Sequence, residues 1–154
     1  MRTFLLLLLS AAAGLAAAPA RADGDRAARV PLLPAYVQEC GSCHVAFAPA
    51  LLPAASWQRL MAGLGRHYGS DASLDAATTA SIAAWLQAHA GSGKRTAEAP
   101  RDDRLTQGAW FQREHREVRG RFGSAAVKGA SDCAACHTRA AEGSYREREI
   151  RLPG

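Results

Sequence analysis

Cys40-Gly41-Ser42-Cys43-His44 and Cys133-Ala134-Ala135-Cys136-His137 are the two stretches that decide how this chain folds. Both have the spacing Cys-x-x-Cys-His, and together they use all four cysteines of the sequence. This spacing is the attachment signature of c-type haem. Two thiols must reach the two vinyl groups of one porphyrin as thioethers, and two intervening residues on a helical turn put both sulfurs on one side. The adjacent His44 or His137 then points its imidazole at the iron from that face.

Three other uses of the four cysteines have to be weighed against haem attachment. Cysteines of exported proteins often form disulfides, but disulfides leave the histidine after each pair unexplained. Two Cys-x-x-Cys pairs can also build a structural zinc site, and a single pair can be a thioredoxin-like redox centre in a strand–helix context. The repeat of the complete spacing, with no cysteine left over, favours two covalently attached haem c groups.

The N-terminal segment has the pattern of a secretory signal, predicted over residues 1–22. Arg2 supplies a positive charge, residues 4–18 are rich in Leu and Ala, and Ala20-Arg21-Ala22 offers small residues at a cleavage site. The apolar stretch of about 15 residues is shorter than the roughly 20 needed to cross a bilayer, so cleavage after about Ala22 is favoured over a membrane anchor. We therefore predict a periplasmic protein with no membrane insertion after cleavage.

The whole chain has a formal net charge of +5. The positive charge is concentrated in its last third. Residues 23–100 carry equal numbers of basic and acidic side chains, whereas residues 101–154 carry eleven basic and eight acidic ones. The mixture of arginine and glutamate at Arg113-Glu114-His115-Arg116-Glu117 is typical of a solvated helix face rather than a phosphate track. We expect no nucleic-acid partner. Solubility is the first interpretation of the basic excess, and steering toward an acidic partner is the second.

Apolar periodicity and capping residues predict helices and no convincing strand. A helix over residues 57–68 would be capped by Ser56, and one over residues 74–90 by Ser73. A third is predicted over residues 107–119. Because short alternating runs with Val, Ile and Thr are absent, the predicted fold is mostly α, with little or no β-sheet.

A stretch without large apolar side chains divides the chain into two lobes. It runs from Gly91 to Asp103, and its Gly, Ser, Lys and Arg are typical of a flexible linker. The predicted organisation is a first haem lobe at residues 23–92, a linker at residues 93–103 and a second haem lobe at residues 104–154. The result is a small two-lobed c-type cytochrome with one haem per lobe. A chain this small buries little apolar surface of its own, so the two porphyrins are expected to supply much of the core.

Three histidines remain for the second axial position of each iron. His67, His89 and His115 all lie on apolar faces, so periodicity does not separate them. His67 follows His44 by 23 residues and His115 precedes His137 by 22, and each can close a compact lobe around its own haem. His89 falls in the last turn of its helix, where an imidazole commonly serves the exposed carbonyls. We therefore expect His67 on the first iron and His115 on the second, and we treat His89 as the weaker candidate.

Met61 is the one thioether competitor left after removal of the signal. It lies on an apolar face and is more simply a core residue. Ligation by histidine and methionine would give a higher reduction potential than ligation by two histidines, because thioether sulfur favours ferrous iron. The sequence also leaves crossed ligation open, with His67 reaching the second haem.

The residues around both motifs resemble the diheme cytochrome c family known as DHC. The resemblance covers about residues 34–153. It is carried by Glu39-Cys40-Gly41-Ser42-Cys43-His44, Leu51-Leu52-Pro53, Ser56-Trp57, His67-Tyr68-Gly69, Ala72-Ser73-Leu74-Asp75, Trp110-Phe111, Glu114-His115-Arg116 and Asp132-Cys133-Ala134-Ala135-Cys136-His137. This combination is much more specific than either haem motif alone.

The resemblance implies a periplasmic protein with two six-coordinate, bis-histidine haems. It implies His67 and His115 as the distal ligands, and His89 is not part of the family pattern. It also implies partners such as a membrane b-type cytochrome or a soluble, oxygen-binding c-type haem protein. We expect an electron carrier with no catalytic residues. The alternative is a peroxidase-like haem enzyme or a gas sensor, which needs one open or displaceable iron site.

Overall fold

The computed structural model describes residues 30–154, and the predicted signal segment at residues 1–22 lies outside them. The described residues form four short α-helices: α1 (Pro34–Cys40), α2 (Ala54–Ala62), α3 (Ala76–Ala88) and α4 (Ala109–Glu114). They are joined by short 3₁₀ turns at Pro49–Leu51, Leu64–Arg66, Lys94–Thr96, Arg101–Asp103, Leu105–Gln107, Arg119–Arg121, Cys133–Ala135, Ala140–Glu142 and Glu147–Glu149.

Within residues 30–154 the backbone forms no sheet. The extended pairings there are isolated bridges, such as the one between His137 and Ile150. The prediction of a mostly α fold without a sheet is confirmed. None of the helices in the described part is long and apolar enough to span a bilayer.

The largest core lies between α2 and α3. Trp57 and Met61 are one helical turn apart on α2 and are buried. Ile82 and Leu86 are spaced in the same way on α3 and are fully buried. Residues four apart share one helix face, so each helix presents an apolar stripe to the other. Tyr36 of α1 joins this cluster and meets the Trp57 ring edge-on at 6.4 Å.

The predicted N-caps of α2 and α3 were both wrong. α2 begins at Ala54, directly after Pro53, which has an extended backbone and offers no side-chain cap. Asp75, and not Ser73, caps α3, since its carboxylate accepts hydrogen bonds from the backbone N–H groups of Ala77 and Thr78. A charged acceptor at this position also interacts favourably with the helix dipole.

α4 is much shorter than the helix predicted over residues 107–119. It occupies Ala109–Glu114, and His115 stands at its C-cap. The backbone then continues in a 3₁₀ turn at Arg119–Arg121. The charged residues after Glu114 have helical propensity but few apolar partners, and tertiary packing rather than propensity stabilises most helices in proteins.

The stretch predicted as a linker is held against the first lobe. The backbone N–H of Gly91 donates to the Leu52 carbonyl at 2.8 Å. A Cβ atom at Gly91 would lie 2.5 Å from both the Ala50 carbonyl oxygen and the Thr96 hydroxyl. Only glycine permits so close an approach of two backbone segments. Residues 94–96 and 101–103 form 3₁₀ turns of their own.

The second lobe is built from turns and contains few buried apolar side chains. Phe111, Val127 and Ala140 are its buried hydrophobic residues among those described. The C-terminal tail pairs with the second Cys-x-x-Cys-His segment, since the N–H of Arg151 donates to the Cys136 carbonyl at 2.8 Å. Backbone hydrogen bonds therefore replace much of the apolar packing that the first lobe has.

The two lobes touch where the second motif is followed by a tight turn. Gly143 adopts a left-handed conformation with φ of 74°, and a Cβ atom there would lie 3.7 Å from the Leu32 side chain. Leu32 packs against the first-lobe core just before α1. This contact brings the two Cys-x-x-Cys-His segments onto neighbouring parts of the molecule.

Candidate functional site

The first motif lies at the end of α1, which stops at Cys40. Cys40 is partly buried and Cys43 is exposed, and neither forms a disulfide. Burial and the neighbouring Glu39 carboxylate raise the pKa of the Cys40 thiol to about 11. The His44 Nδ1 atom lies 2.7 Å from the Val45 carbonyl oxygen. If Nδ1 carries the proton for that bond, the other ring nitrogen, Nε2, keeps a free lone pair for a metal.

His67 lies opposite His44, 23 residues further along the chain. The centroids of the two imidazoles are 6.2 Å apart and the ring planes differ by 26°. The Phe47 ring also stacks on His44, with a centroid distance of 4.7 Å and ring planes that differ by 13°. Burial, the nearby His44 and the Arg104 guanidinium lower the pKa of His67. Lowering that pKa favours the neutral imidazole, which is the form that binds a metal.

The second motif begins with a 3₁₀ turn at Cys133–Ala135, whereas the first begins at the last residue of α1. Cys133 and Cys136 are partly buried free thiols, and burial followed by the Asp132 carboxylate raises the pKa of Cys133 to about 11. The centroids of the His115 and His137 imidazoles are 6.1 Å apart, with ring planes at 63°. The centroid distance is close to that of the His44–His67 pair, but the ring planes are inclined more steeply.

His115 is fixed by the end of α4. Its Nδ1 atom is 2.9 Å from the Phe111 carbonyl oxygen, and its ring stacks on the Phe111 ring at a centroid distance of 3.9 Å. His137 differs, because its buried Nδ1 atom has no hydrogen-bond partner among the described residues. The Tyr145 ring contacts His137 edge-on at 5.3 Å. Burial and the nearby His115 lower the pKa of His137.

The two weaker candidates lie elsewhere. His89 is the C-cap of α3, its Nδ1 atom is 2.8 Å from the Trp85 carbonyl oxygen, and its ring contacts that of Trp85. No contact of its ring with another histidine occurs in the described part of the chain. Met61 is part of the core between α2 and α3. The structure therefore pairs His67 with His44 and His115 with His137, and leaves His89 and Met61 outside both pairs.

The profile of the family described as dihaem cytochrome c matches residues 36–145, which is most of the chain. This chain belongs to the dihaem cytochrome c family. The resemblance found in the sequence is thereby confirmed, and family membership implies two covalent haem c groups and a role in electron transfer.

Solved structures agree with this membership. The X-ray structure of a diheme cytochrome c from Shewanella baltica OS155 matches with a TM-score of 0.70 and 35% sequence identity, covering 81% of this chain and 96% of that chain. The crystal structure of DHC from Rhodobacter sphaeroides matches with a TM-score of 0.65 and 40% identity, covering 75% of this chain and 99% of that chain. A further diheme cytochrome c structure from Rhodobacter sphaeroides gives a TM-score of 0.65 and 41% identity over 73% of this chain and 96% of that one. No match was found among curated proteins.

The residues of this cytochrome fit the two haem c groups that its family implies. Each motif offers two free thiols for thioether bonds and a histidine beside them. A bond between a transition metal and imidazole nitrogen is about 2 Å long, and a ring nitrogen lies about 1.1 Å from its ring centre for bonds of about 1.33 Å. Two imidazoles on opposite sides of one metal ion therefore have centroids about 6 Å apart. Both histidine pairs have this spacing.

The sequence reasoning missed the aromatic residues that orient these histidines. Phe47 follows His44 by three residues and Phe111 precedes His115 by four, and each stacks on its histidine. The spacing of Phe111 is a usable signal, because residues four apart meet on one helix face. The contact of Tyr145 with His137 had no such signal, since it depends on a turn formed by Gly143.

Proposed function

We propose that this dihaem cytochrome exchanges electrons with redox proteins through two bis-histidine, six-coordinate, low-spin haems. His44 and His67 would ligate the first iron, and His137 and His115 the second. The observation that carries this proposal is the spacing of the two imidazole pairs, 6.2 Å and 6.1 Å between centroids. Covalently bound haem supplies reversible one-electron chemistry at each iron.

The chain contributes a fixed orientation for at least one imidazole in each pair. The carbonyls of Val45 and Phe111 lie within hydrogen-bond distance of Nδ1 in His44 and His115. Such a bond selects the tautomer and restrains the ring plane, so Nε2 keeps a free lone pair for a metal. Stacking by Phe47 and Phe111 restrains the same two rings. The imidazole rings then need to move little when an iron gains or loses an electron.

A second imidazole in each pair argues against a peroxidase-like enzyme or a gas sensor. Those functions need an iron with an open or displaceable position. In the proposed ligation His67 and His115 fill that position, and both are partly buried. The proposal therefore includes no catalytic residue.

Carbon monoxide binding by the reduced, unmodified holoprotein tests this function. We expect no rapid binding at either haem, because CO must first displace a histidine. Absorption spectroscopy after mixing with CO measures it, and the fully denatured and reduced protein gives the amplitude for two accessible haems. Rapid binding at either haem in the folded protein would support the enzyme or sensor alternative.

The place of action that we propose is the periplasm. Support comes from the signal pattern at residues 1–22 and from the covalent attachment of haem that the family implies. The partners would be redox proteins, such as a membrane b-type cytochrome or a soluble c-type haem protein.

An acidic partner would dock on the arginine-rich surface next to His115. Arg113, Arg116 and Arg119 are all exposed there. Arg113 and Arg116 pair only with the adjacent Glu114 and Glu117 on the surface, and exposed pairs contribute little stability. The Arg113 and Arg116 side chains are therefore free to reorient toward a partner, whereas Arg119 donates to the Gln112 carbonyl at 3.5 Å.

Reversing two of these charges should slow association with an acidic redox partner. We expect Arg116→Glu with Arg119→Glu to lower the association rate about tenfold at low ionic strength and to weaken its salt dependence, since electrostatic steering acts mainly on the rate of encounter. Stopped-flow kinetics at several salt concentrations measures both effects. Lys94→Glu with Arg101→Glu is the control, because it changes the net charge equally on the segment before the second lobe. Equal slowing by both pairs would rule out a docking surface at His115.

A further inference from the structure

His67 lies on a turn whose backbone is strained. Residues His67–Ser70 form a tight turn closed by the Ser70 N–H, which donates to the His67 carbonyl at 3.0 Å. Tyr68 has φ of 52° and Gly69 has φ of 100°. Glycine adopts positive φ freely, and asparagine or aspartate tolerates it, but an aromatic residue there is an outlier. The strained backbone at Tyr68 must therefore be held by the contacts around it.

Two other non-glycine residues with positive φ lie next to this turn. Asp102 and Asp103 have φ of 55° and 53°, and with Tyr68 they are the non-glycine residues of positive φ in the described part of the chain. Strained conformations persist only where the surroundings hold them, and they cluster at ligand clamps and switch regions. All three residues meet at one place although 34 positions separate Tyr68 from Asp102.

Side-chain contacts tie the His67 turn to the segment that contains Asp102 and Asp103. The Tyr68 hydroxyl donates to the Asp102 carbonyl oxygen at 2.9 Å. The Arg104 guanidinium carbon lies 3.9 Å from the centroid of the Tyr68 ring, within the range of a cation–π interaction. We call residues Asp102–Arg104 the strap, since they cross over the turn that carries His67.

The strap is anchored to α2 by a bidentate ion pair. Arg59 Nε and Nη2 donate to the two carboxylate oxygens of Asp103 at 2.8 Å and 2.6 Å. The Asp103 side chain is only 15% exposed, and two-pronged arginine–carboxylate contacts are the strong form of such pairs. α2 is packed on α3, so the strap connects the His67 turn to the rigid part of the first lobe.

We infer that the strap is a positioning element for His67, which keeps this histidine on the first iron and closes that haem to small ligands. Resting on the proposed ligation by His67, the inference adds a cause for the stability of that bond. Tyr68, Asp103 and Arg104 act through His67 and touch neither haem motif. Loosening the strap should let the His67 turn move away and leave the second haem unchanged.

Asp103→Ala is the variant that tests this, with CO binding to the reduced holoprotein as the measurement. We expect the observed rate of CO binding to rise about tenfold or more at one haem per chain, because loss of an ion pair that stabilises the closed turn by about 1.4 kcal/mol multiplies the open population by ten. Asp103→Asn keeps a residue that tolerates positive φ and one acceptor for Arg59, so we expect an intermediate rate.

Asp71→Ala is the matched control. Asp71 lies four residues after His67, and its carboxylate accepts a hydrogen bond from the Ser73 N–H at 2.9 Å without touching the strap. Asp71→Ala removes one negative charge, as Asp103→Ala does, but in the loop that follows His67 and not in the strap, and we expect wild-type CO binding. If Asp103→Ala does not retain its haems, Tyr68→Phe replaces it, since that change deletes only the hydroxyl bonded to Asp102.

The outcomes separate the strap from the ligation on which it rests. A wild-type protein closed to CO together with an Asp103 or Tyr68 variant opened at one haem would support the inference. If neither the wild type nor the variants bind CO rapidly, the strap does not position His67, even if the variants have lowered thermal stability. That result would still be consistent with ligation by His67. Equal opening by Asp71→Ala would also overturn it. Rapid CO binding by the wild type would overturn both the ligation and the strap.

Discussion

His67→Ala is expected to turn the first haem from a closed, low-spin centre into one that binds CO rapidly. If the closed form holds about 99% of the wild-type population, removal of the ligand raises the observed binding about 100-fold, because the competent fraction rises to nearly one. Absorption spectra of the reduced protein before and after CO addition measure the change. The new signal should correspond to one haem per chain.

His115→Ala should have the same effect at the second haem. The His115 ring is held by Phe111 from two directions, through the hydrogen bond to its carbonyl and through ring stacking. No nearby imidazole in the described structure could replace it, since His89 caps a different helix. The double variant should therefore bind two CO molecules per chain.

His89→Ala is the control that makes these results interpretable. His89 and His115 share one local structure: each is the C-cap of a helix, and each has Nδ1 near the carbonyl of an aromatic residue four positions earlier. They differ in that His115 faces His137. We expect His89→Ala to keep both haems closed, with at most a small loss of stability from the lost cap. New CO binding in this variant alone would contradict the proposed ligation.

Among the variants considered, removal of the two cysteines that attach the second haem should lower the stability of the protein most. In Cys133→Ala with Cys136→Ala, we expect one haem per chain and a second lobe without stable structure. The physical reason is the small apolar core there, where Phe111, Val127 and Ala140 are the buried hydrophobic residues described. A lobe of short turns cannot offset its loss of chain entropy without the haem.

Trypsin digestion measures this loss of structure, because the second lobe contains many arginines. Cleavage after residues such as Arg113 and Arg116 should be at least about tenfold faster than in the wild type, since proteolysis follows the population of the open form. Cys40→Ala with Cys43→Ala is the comparison. There the packing of α2 on α3 does not depend on the cysteines, so more of the helical circular dichroism should survive. Equal resistance of the second lobe in all three proteins would show that its fold does not need the haem.

The sequence predicted the chemistry of this protein better than its backbone. Covalent haem attachment depends on side chains within five consecutive residues, so both motifs could be read directly. The position of α4 was predicted but its length was not. Residues after Glu114 favour a helix locally, and the exposure of Arg116, Glu117 and Arg119 becomes visible only in the fold.

The choice among the three histidines shows the limit of local reasoning. His89 was set aside because it ends a helix, yet His115 ends a helix in the same way. What separates them in the structure is the presence of His137 beside His115, a contact across 22 residues. The strap was equally out of reach, because Tyr68 and Asp102 meet only after the chain has folded back.

The order of the paired histidines along the chain reverses between the two lobes. In the first lobe the Cys-x-x-Cys-His histidine, His44, comes before its neighbour His67, whereas in the second lobe His115 comes before His137. Tandem duplication of a gene segment preserves the order of its residues, as sequence repeats show. A tandem repeat of one segment that kept its histidines in place would therefore not give the order seen in this chain.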